Sequence, residues 1–431
     1  MPLTFVKIEP KLDRVLLILA AIFCVGAAWF FVRWNFANMI STRLDIDRPE
    51  SKLVADWLVD FAPADPQSHF TAAALYEKTF DDADLLQSLK EYETATALSP
   101  NNYLMWLNLG RARNLNGNTE GADAAFARSL ELAPNYAQIQ WVYGNFLIRQ
   151  AKIEEGFTLV AKAAASNSEY SQAAAISALQ IFDSDIAQAQ RYLGNTDTTN
   201  AALVSALSGQ KRSDEAVDVW SNLGAVDRTD KYKKLGETLI SNLAAAKKFQ
   251  LAARVTADLQ TSDAERPVVG AVANGGFENA VKLRNAGLFE WQIADGGEPQ
   301  IGLNETQKHS GKGSLIMAFN SVETAAFRTV TQTVAVVPGG EYDLEIFYRS
   351  DLKSAAKFKW EIADAVAGGV IASTQPLTTA ADWTSLKATF RVPVSSDGII
   401  IRFVREGCSG LSCPANGKVY LDDIGITKKT N

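Results

Sequence analysis

Histidine is scarce in this chain, with only His69 and His309 among 431 residues. A Ser-His-Asp hydrolase or a histidine-rich metal enzyme is therefore not expected. Basic residues are also in deficit, because 42 Lys and Arg stand against 49 Asp and Glu and give a net charge of −7. Since binding to phosphates requires a surplus of Lys and Arg, we do not expect a nucleic-acid partner.

The composition is otherwise that of a folded protein. Hydrophobic residues make up 47% and charged residues 21% of the sequence, which is too apolar for a mainly disordered chain. The length is roughly three times that of a ~150-residue domain, so we expect more than one domain. No phosphate-binding loop of the G-x-x-x-x-G-K-[ST] type occurs in the sequence.

A long apolar run lies near the N-terminus, where Val15–Val32 contains eighteen residues without a charge. As a helix with a rise of ~1.5 Å per residue it is about 27 Å long, close to the hydrocarbon thickness of a bilayer. We predict a cytoplasmic N-terminus at residues 1–14 and a transmembrane helix at residues 15–36. The alternatives are a buried helix of a soluble domain and a cleaved signal peptide; bulky residues after Ala28 disfavour cleavage.

Cysteine usage bears on the compartment. Cys408 and Cys413 bound a short loop, and a disulfide between them would need an oxidising compartment; two free thiols are the alternative. Their spacing excludes a C-x-x-C redox motif, and a total of three cysteines excludes a four-cysteine zinc site. We therefore expect a single-pass protein of the bacterial inner membrane with most of its chain in the periplasm.

Basic residues do not decide the orientation of the apolar run in the membrane, because three precede the run and three follow it. These residues are Lys7, Lys11, Arg14, Arg33, Arg43 and Arg48.

Residues 50–260 are rich in Ala, Leu and Glu and predict helices. One unit has the order Trp106, Leu109, Gly110, Arg113, Ala122, Phe126 and Pro134. This spacing resembles the tetratricopeptide repeat (TPR), whose pattern is W-x-x-L-G-x-x-Y, A-x-x-x-F and P over ~34 residues, with Arg in place of the Tyr. Neighbouring units are in phase, so we expect five or six helical hairpins stacked as a solenoid, with a non-repetitive helical bundle as the alternative. The resemblance implies a protein partner in the groove of the solenoid.

The pattern changes after residue 260. Residues 261–272 are a predicted linker, and residues 273–427 alternate apolar and polar residues with the period of β-strands. Many short strands over ~155 residues predict a β-sandwich. The predicted fold class is therefore multidomain α + β, with a single transmembrane helix, an α-helical TPR-like solenoid and a C-terminal antiparallel β-sandwich of the jelly-roll type. The predicted strands are Thr329–Val337, Glu341–Arg349, Lys357–Ile362, Ser385–Val394, Ile399–Val404 and Lys418–Ile426.

Four motifs in this region carry a second resemblance: N-G-G-F-E from Asn274, H-S-G-K-G-S-L from His309, Y-x-L from Tyr342 and V-Y-L-D-D-I from Val419. Their order is similar to that of carbohydrate-binding-module jelly rolls. The resemblance implies a structural calcium ion held by Glu278 and by Asp422 or Asp423, because carboxylate oxygens suit a hard cation. Solvated acids at strand ends are the alternative, and no other cofactor is expected. The cysteine-containing loop resembles those of anchored repeat proteins linked to surface-polysaccharide loci.

A polar sheet face is the candidate glycan site. In the strand Glu341–Arg349, alternate residues from Tyr342 to Tyr348 share one face, and Glu345, Phe347 and Arg349 share the other. We predict that Lys359, Glu361 and Arg402, from other alternating strands, extend this second face. An ordinary solvated face is the alternative, and Trp291, Trp360 and Trp383 are expected mostly in the core. The predicted glycan-binding residues are Glu345, Phe347, Arg349, Lys359, Glu361 and Arg402.

No local motif supplies the two facing carboxylates of a glycosidase, and we do not expect an enzyme. We expect instead a membrane-anchored periplasmic adaptor that binds a protein through its repeats and a glycan through the jelly roll. Such an adaptor would support assembly or export of exopolysaccharide or O-antigen. The alternative is a purely protein-binding scaffold of an envelope complex without sugar binding.

Overall fold

The computed structural model describes residues 11–48, 50–323, 327–407 and 412–429. It divides into two compact units, Met1–Gly194 and Asn195–Asn431. Helices form the first unit, and helices together with antiparallel sheets form the second. The fold class is the predicted multidomain α + β type.

The first helix, α1, runs over Lys11–Ser41. Its part Arg14–Ser41 is long and apolar enough to cross a membrane, and none of its most apolar window is buried. This helix is compatible with a membrane anchor or a signal sequence.

The helices after α1 in the first unit pair as antiparallel neighbours, α3 with α4, α5 with α6, α7 with α8 and α9 with α10. Helix α2 packs against both α1 and α3, which also contact each other. Their bounds are α2 Ser51–Phe61, α3 Pro66–Glu77, α4 Asp82–Leu98, α5 Tyr103–Leu115, α6 Thr119–Leu132, α7 Ala137–Arg149, α8 Ile153–Ser166, α9 Glu169–Ile181 and α10 Ile186–Leu193.

The helical pair that carries the TPR-like pattern shows why its residue types are needed. A Cβ atom on Gly110 would lie 2.6 Å from the Phe126 ring, so glycine lets α6 approach α5 closely. Arg113, which replaces the tyrosine of the pattern, donates hydrogen bonds to the Gly121 carbonyl and to Glu93, both at 3.1 Å. Phe126 is buried. The hairpin geometry predicted from the spacing is confirmed.

The second unit begins with five helices, in which α11 pairs with α12 and α14 with α15. The described helices thus include six antiparallel pairs, in agreement with the expected five or six. A short 3-10 turn at Asp263–Glu265 precedes the strands. The helices are α11 Asp197–Gly209, α12 Ser213–Ser221, α13 Ala225–Thr229, α14 Lys233–Ala245 and α15 Phe249–Leu259. The strands are β1 Gln292–Ile293, β2 Gln300–Asn304, β3 Ser314–Glu323, β4 Val330–Ala335, β5 Glu341–Ser350, β6 Lys353–Ser354, β7 Phe358–Asp364, β8 Val370–Ser373, β9 Ala380–Arg391, β10 Gly398–Arg405 and β11 Ser412–Lys428.

The strands form two antiparallel sheets that enclose one core. One sheet has the order β1-β4-β10-β7-β8, and the other has the order β2-β3-β11-β5-β9 with β6 beside β11. Tyr342, Leu344 and Ile346 of β5 are fully buried, as the alternation predicts. Trp291 and Trp360 also lie in the core.

The last helical pair packs directly on the sandwich. Gln250 of α15 donates a hydrogen bond from its side chain to the Val336 carbonyl at 2.8 Å. A Cβ atom on Gly398 would lie 2.4 Å from the Phe249 ring, so this ring rests on the backbone at the start of β10. In the predicted linker, the Gly270 N–H donates to the Ala335 carbonyl of β4 at 2.8 Å.

Candidate functional site

Three rings meet on the outer face of the six-stranded sheet. His309, from the loop between β2 and β3, stacks on Phe347 of β5 with a centroid distance of 3.9 Å and an interplanar angle of 12°. Trp383 of β9 lies 5.7 Å from His309, tilted by 59°. Phe347 and Trp383 are both half-buried. We call these three residues the aromatic patch.

Asp422 and Asp423 hold the histidine of the aromatic patch through hydrogen bonds. Its Nδ1 lies 2.7 Å from an Asp423 carboxylate oxygen, and its backbone N–H donates to Asp422 at 2.7 Å. The Ser310 hydroxyl donates to Asp423 at 2.9 Å. These contacts fix the position of the loop and of the His309 ring, so the surface is organised before any ligand arrives.

Asp422 is fully buried beneath this loop. Burial raises the pKa of its carboxyl above the usual value, although the N–H groups of Ser310, His309 and Asp423 favour the ionised form. The carboxylate therefore serves the loop as a hydrogen-bond acceptor.

Polar groups flank the rings on the same sheet face. Arg349 of β5 donates a hydrogen bond to the Gln307 side chain. Four residues before Arg349 in β5, Glu345 pairs with Lys387 of β9 at 2.9 Å. Rings beside hydrogen-bonding side chains are the combination that a sugar needs, because its C–H faces stack on rings and its hydroxyls take hydrogen bonds.

The prediction that the six candidate residues share a single face is wrong. Glu345, Phe347 and Arg349 belong to β5 in the six-stranded sheet, whereas Lys359, Glu361 and Arg402 belong to β7 and β10 in the five-stranded sheet. The outer faces of the two sheets point away from each other, because the inner faces share the core. The six residues therefore form two separate surfaces.

The second surface is an ion-pair network. Arg402 pairs with Glu361 at 2.8 Å, and Lys359 pairs with Glu361 at 3.5 Å and with Glu406 at 2.7 Å. The hydrogen bond to Glu406 raises the pKa of Lys359, and the same bond lowers the pKa of Glu406. Arg402, Glu361, Lys359 and Glu406 are therefore paired with one another on this surface.

The predicted calcium ligands lie around the same loop as the aromatic patch. Oxygens of Glu278 and Asp423 lie 3.7 Å and 3.4 Å from the point where a Cβ atom of Gly276 would be. Glu278 also accepts two contacts from the Lys312 N–H, at 2.8 and 3.0 Å. Across the described residues, no three Asp, Glu, His or Cys side chains are grouped so as to hold a metal ion. Glu278 and Asp423 thus each place a carboxylate oxygen near Gly276, and calcium binding stays a prediction.

The sequence interpretation missed His309 and Trp383 as surface residues. Trp383 was expected in the core, but it lies on the outer face of β9 with Ser385 and Lys387, two and four residues along. The alternation of β9 therefore contained this signal. The position of His309 over Phe347 depends on a loop and had no signal in the local pattern.

The helical unit carries its own aromatic pair. Trp141 of α7 stacks on Tyr170 of α9 at 5.0 Å and 20°, and both rings are partly exposed. Tyr143 instead packs on the Phe126 ring at 5.8 Å and donates its hydroxyl to Asp123 at 2.7 Å. Trp141 and Tyr143 are both partly exposed and both stack on a neighbouring ring.

The predicted disulfide falls partly outside the described residues. Cys413 is buried and disulfide-bonded. Cys408 lies outside the part of the chain that the structure describes, so its pairing with Cys413 stays a prediction. Cys24, in the apolar part of α1, is a free thiol.

Comparison with known proteins found no matching family model and no matching curated protein. Among solved structures, a CBM4 structure is 17% identical and covers 37% of this chain and 99% of its own, with a TM-score of 0.28. TmCBM61 in complex with β-1,4-galactotriose is 16% identical and covers 36% of this chain and 96% of its own, with a TM-score of 0.27. The structure of MamA is 13% identical and covers 46% of this chain and 96% of its own, with a TM-score of 0.29.

Proposed function

We propose that this chain is a membrane-anchored adaptor that binds a glycan on its sandwich and a protein partner on its helical repeats. In this role it supports assembly or export of exopolysaccharide or O-antigen at the bacterial inner membrane, with most of the chain in the periplasm. The function is binding, without catalysis. The observation that carries the proposal is the aromatic patch of His309, Phe347 and Trp383.

The geometry of the patch favours a sugar over a purely protein partner. Trp383 is partly exposed beside a stacked pair of rings. A sugar ring stacks on such a surface through its C–H groups, while Arg349 and Glu345 lie within the same sheet face to bind hydroxyls. A smooth aliphatic face would instead favour a protein scaffold.

The partner site in the helical unit is centred on Trp141 and Tyr170. Aromatic residues are enriched at the centres of protein interfaces, because they bury a large area with few rotatable bonds. The proposed protein partner therefore contacts this stacked pair. Loss of its binding in a Trp141→Ala variant, with Tyr136→Ala as the control for an exposed ring elsewhere, tests this half of the proposal.

The glycan half is tested with the full chain in lipid nanodiscs on a glycan array that includes the host's own surface polysaccharide. We expect binding to weaken about tenfold in Trp383→Ala, the loss typical of one aromatic stacking contact. Val394→Ala removes an exposed apolar side chain elsewhere on the sandwich and is expected to leave binding unchanged. Lys359→Ala, on the other sheet, is also expected to leave it unchanged.

Two results would contradict the glycan proposal. Absence of binding to every glycan on the array would leave the protein scaffold as the function. If Lys359→Ala and Trp383→Ala weaken glycan binding equally, the glycan binds elsewhere than on the aromatic patch. Orientation has a separate test, since a C-terminal alkaline phosphatase fusion is active only if the domains are in the periplasm.

A further inference from the structure

The outer face of β5 carries three acids, and each of them has a lysine as its partner. Glu341 pairs with Lys429 at 3.1 Å, and Asp343 pairs with the same lysine at 3.4 Å. Glu345 pairs with Lys387 of β9 at 2.9 Å. The negative charges of this row are therefore balanced within the protein.

Arg349, at the end of the same row, is not balanced in this way. Its guanidinium donates a hydrogen bond to the side-chain oxygen of Gln307, which carries no charge. In the described part of the chain, no carboxylate lies within ion-pair distance of this guanidinium. Asp351, the next acid along the chain, instead accepts the backbone N–H of Lys418. Arg349 therefore brings a positive charge with a neutral partner to the face that carries the aromatic patch.

The loop that carries His309 also holds the guanidinium in place. The Gln307 N–H donates to the Asn304 side chain at 2.6 Å, and the Gln307 carbonyl accepts a hydrogen bond from the Ser314 hydroxyl. The backbone of Gln307 is thus held on both sides, and its side chain in turn holds Arg349, which is half-buried. A group that is positioned before binding loses little conformational entropy when a ligand arrives.

Arg349 is a neighbour of the tryptophan of the aromatic patch. Tyr348 of β5 pairs with Thr384 of β9, and the register shifts immediately beyond this pair. Because Arg349 follows Tyr348 and Trp383 precedes Thr384, the two side chains lie next to each other on adjacent strands. Such strands are ~4.8 Å apart. The substituents of a sugar ring stacked on Trp383 are therefore within reach of the guanidinium.

A guanidinium with a neutral partner favours an anion over a hydroxyl group. It has five N–H donors in a planar fork, of which Arg349 directs one hydrogen bond at Gln307 in the described chain. The other donors can bond both oxygens of a carboxylate at once, which adds the attraction of opposite charges to the hydrogen bonds. A hydroxyl group would use the donors but leave the charge unbalanced.

The net charge of −7 opposes an acidic glycan less than it opposes a nucleic acid. A nucleic acid carries a charge on every nucleotide, so its binding requires many cations along a surface. A glycan with a carboxylate on the stacked sugar requires one matched cation where that sugar binds. Arg349 provides this cation.

We propose that the glycan bound at the aromatic patch is acidic, and that Arg349 pairs with a carboxylate of the sugar that stacks on Trp383. The inference rests on the glycan binding of the proposed function and names its substrate class, a polysaccharide that contains uronic acid or another carboxylated sugar. The rings bind acidic and neutral sugars alike, because stacking does not depend on the charge of the sugar. Arg349 is the residue that distinguishes between them.

The test compares matched acidic and neutral glycans, with the full chain in lipid nanodiscs. The array carries oligomers of galacturonic, glucuronic, mannuronic and guluronic acid, each beside its methyl ester, which keeps the ring and the linkage but removes the charge. It also carries the host's surface polysaccharide before and after reduction of its carboxyl groups. We expect an acidic member to bind about tenfold more tightly than its neutral partner, the effect of one charge-assisted contact. Raising the salt concentration from about 0.05 M to about 0.5 M should weaken binding of the acidic member alone, because salt screens an ion pair.

Variants assign the preference to a residue. Arg349→Gln should remove the preference for the acidic member and retain binding of the neutral one. Arg349→Lys keeps the charge but loses the fork, and should give an intermediate preference. The matched control is Arg391→Gln, at the far end of β9, where the guanidinium donates to the Gly339 carbonyl at 3.3 Å; it should keep the full preference. Trp383→Ala should weaken binding of both members of a pair equally.

The outcomes separate this inference from the proposed function. Equal affinity for acidic and neutral members, or a preference for the neutral ones, overturns the inference and leaves glycan binding in place. A preference that persists in Arg349→Gln shows that another cation binds the carboxylate, which also overturns it. Equal loss of both members in Arg349→Gln would make Arg349 a support of the loop, and the inference would fail. Absence of binding to every glycan removes the glycan half of the proposed function together with the inference. Circular dichroism of each variant verifies that the fold is retained.

Discussion

Asp397, in the turn before β10, accepts a hydrogen bond from the backbone N–H of Phe249 at 3.0 Å. Its other carboxylate oxygen accepts the N–H of Gln250 at 2.9 Å. A side chain of the sandwich thus satisfies the free N–H groups at the start of α15, where a negative charge is also favoured by the helix dipole. The last helical pair and the sandwich are therefore joined by a helix cap.

Removing this cap is expected to destabilise the second unit. Asp397→Ala should lower the free energy of unfolding by about 1 kcal/mol, the usual cost of losing a capping carboxylate. Denaturant unfolding followed by tryptophan fluorescence measures the change. Asp382→Ala, at an exposed position of β9, is the matched control, and equal midpoints for the two variants would refute a capping role.

The contact between α5 and α6 predicts a larger effect at Gly110. Gly110→Ala should destabilise the first unit by roughly 1–3 kcal/mol, because a Cβ atom would meet the buried Phe126 ring and overpack the pair. The control is Gly209→Ala, since a Cβ atom there has no neighbour within 4 Å. That substitution is expected to be neutral or slightly stabilising, because alanine favours helix. The melting temperature of each variant measures the effect. An unchanged melting temperature for Gly110→Ala would show that α5 and α6 can move apart without loss of stability.

A buried ion pair predicts a pH dependence for the first unit. His69 Nδ1 lies 2.5 Å from Glu91, and its Nε2 lies 3.1 Å from the Pro63 carbonyl. Burial of the ring lowers the pKa of His69, but the bonds to Glu91 and Pro63 and the charge of Asp65 outweigh it, so the pKa is raised above 6.5. The stabilisation is therefore fully present below pH 6.5 and is lost as pH rises through the raised value.

His69→Gln removes the titrating group and tests this sign. The stability of the native chain should fall relative to that of the variant as the pH rises above 6.5. Unfolding midpoints measured at intervals below and above this pH give the comparison. Parallel curves for the two proteins would contradict a contribution from protonated His69.

Calcium binding has a direct test at the loop below the aromatic patch. If Glu278 and Asp423 hold the ion, calcium should raise the melting temperature of the full chain above that in a chelator, because an ion that binds only the folded state stabilises it. Glu278→Gln should abolish the increase. Glu305→Gln, on an exposed acid of the same loop, should retain it. Identical melting temperatures in calcium and chelator would exclude a structural ion.

The cysteine loop gives a prediction about covalent structure. Peptide mass analysis without reductant should find Cys408 linked to Cys413 and Cys24 unmodified. Breaking this short loop with Cys413→Ser should cost about 2 kcal/mol of sandwich stability. Recovery of Cys408 as a free thiol in the native chain would refute the pairing.

Local sequence patterns predicted the helices and strands where burial determines the spacing of apolar residues. The alternation of β5 placed Tyr342, Leu344 and Ile346 inward, and the spacing of Gly110 and Phe126 gave a helical pair, because each of these patterns reflects contacts with near neighbours in sequence. Six strands, β4, β5, β7, β9, β10 and β11, were predicted from the same signal, but the ten-residue strand β3 was not. Short strands such as β1 and β6, with two residues each, were not predicted.

The prediction that the six candidate glycan-binding residues share one face was wrong for a physical reason. The alternation of apolar and polar residues predicts which side of a strand faces the core, but it does not predict which sheet the strand joins. Arg402 pairs across from Glu361 because β10 lies beside β7, a relationship set by chain topology. The stacking of His309 on Phe347 likewise depends on a loop returning over β5, which no window of sequence contains.

The position of β11 determines the order in which the chain can fold during its synthesis. This strand lies between β3 and β5, yet it comes after every other strand in the sequence. Until residues 412–428 have left the ribosome, the six-stranded sheet exists only as two separate halves. The helical pairs need only their immediate neighbours and fold as they emerge. An interruption of synthesis shortly before β11 would therefore leave a folded helical region joined to a sandwich with unpaired strand edges, which is a substrate for aggregation or proteolysis.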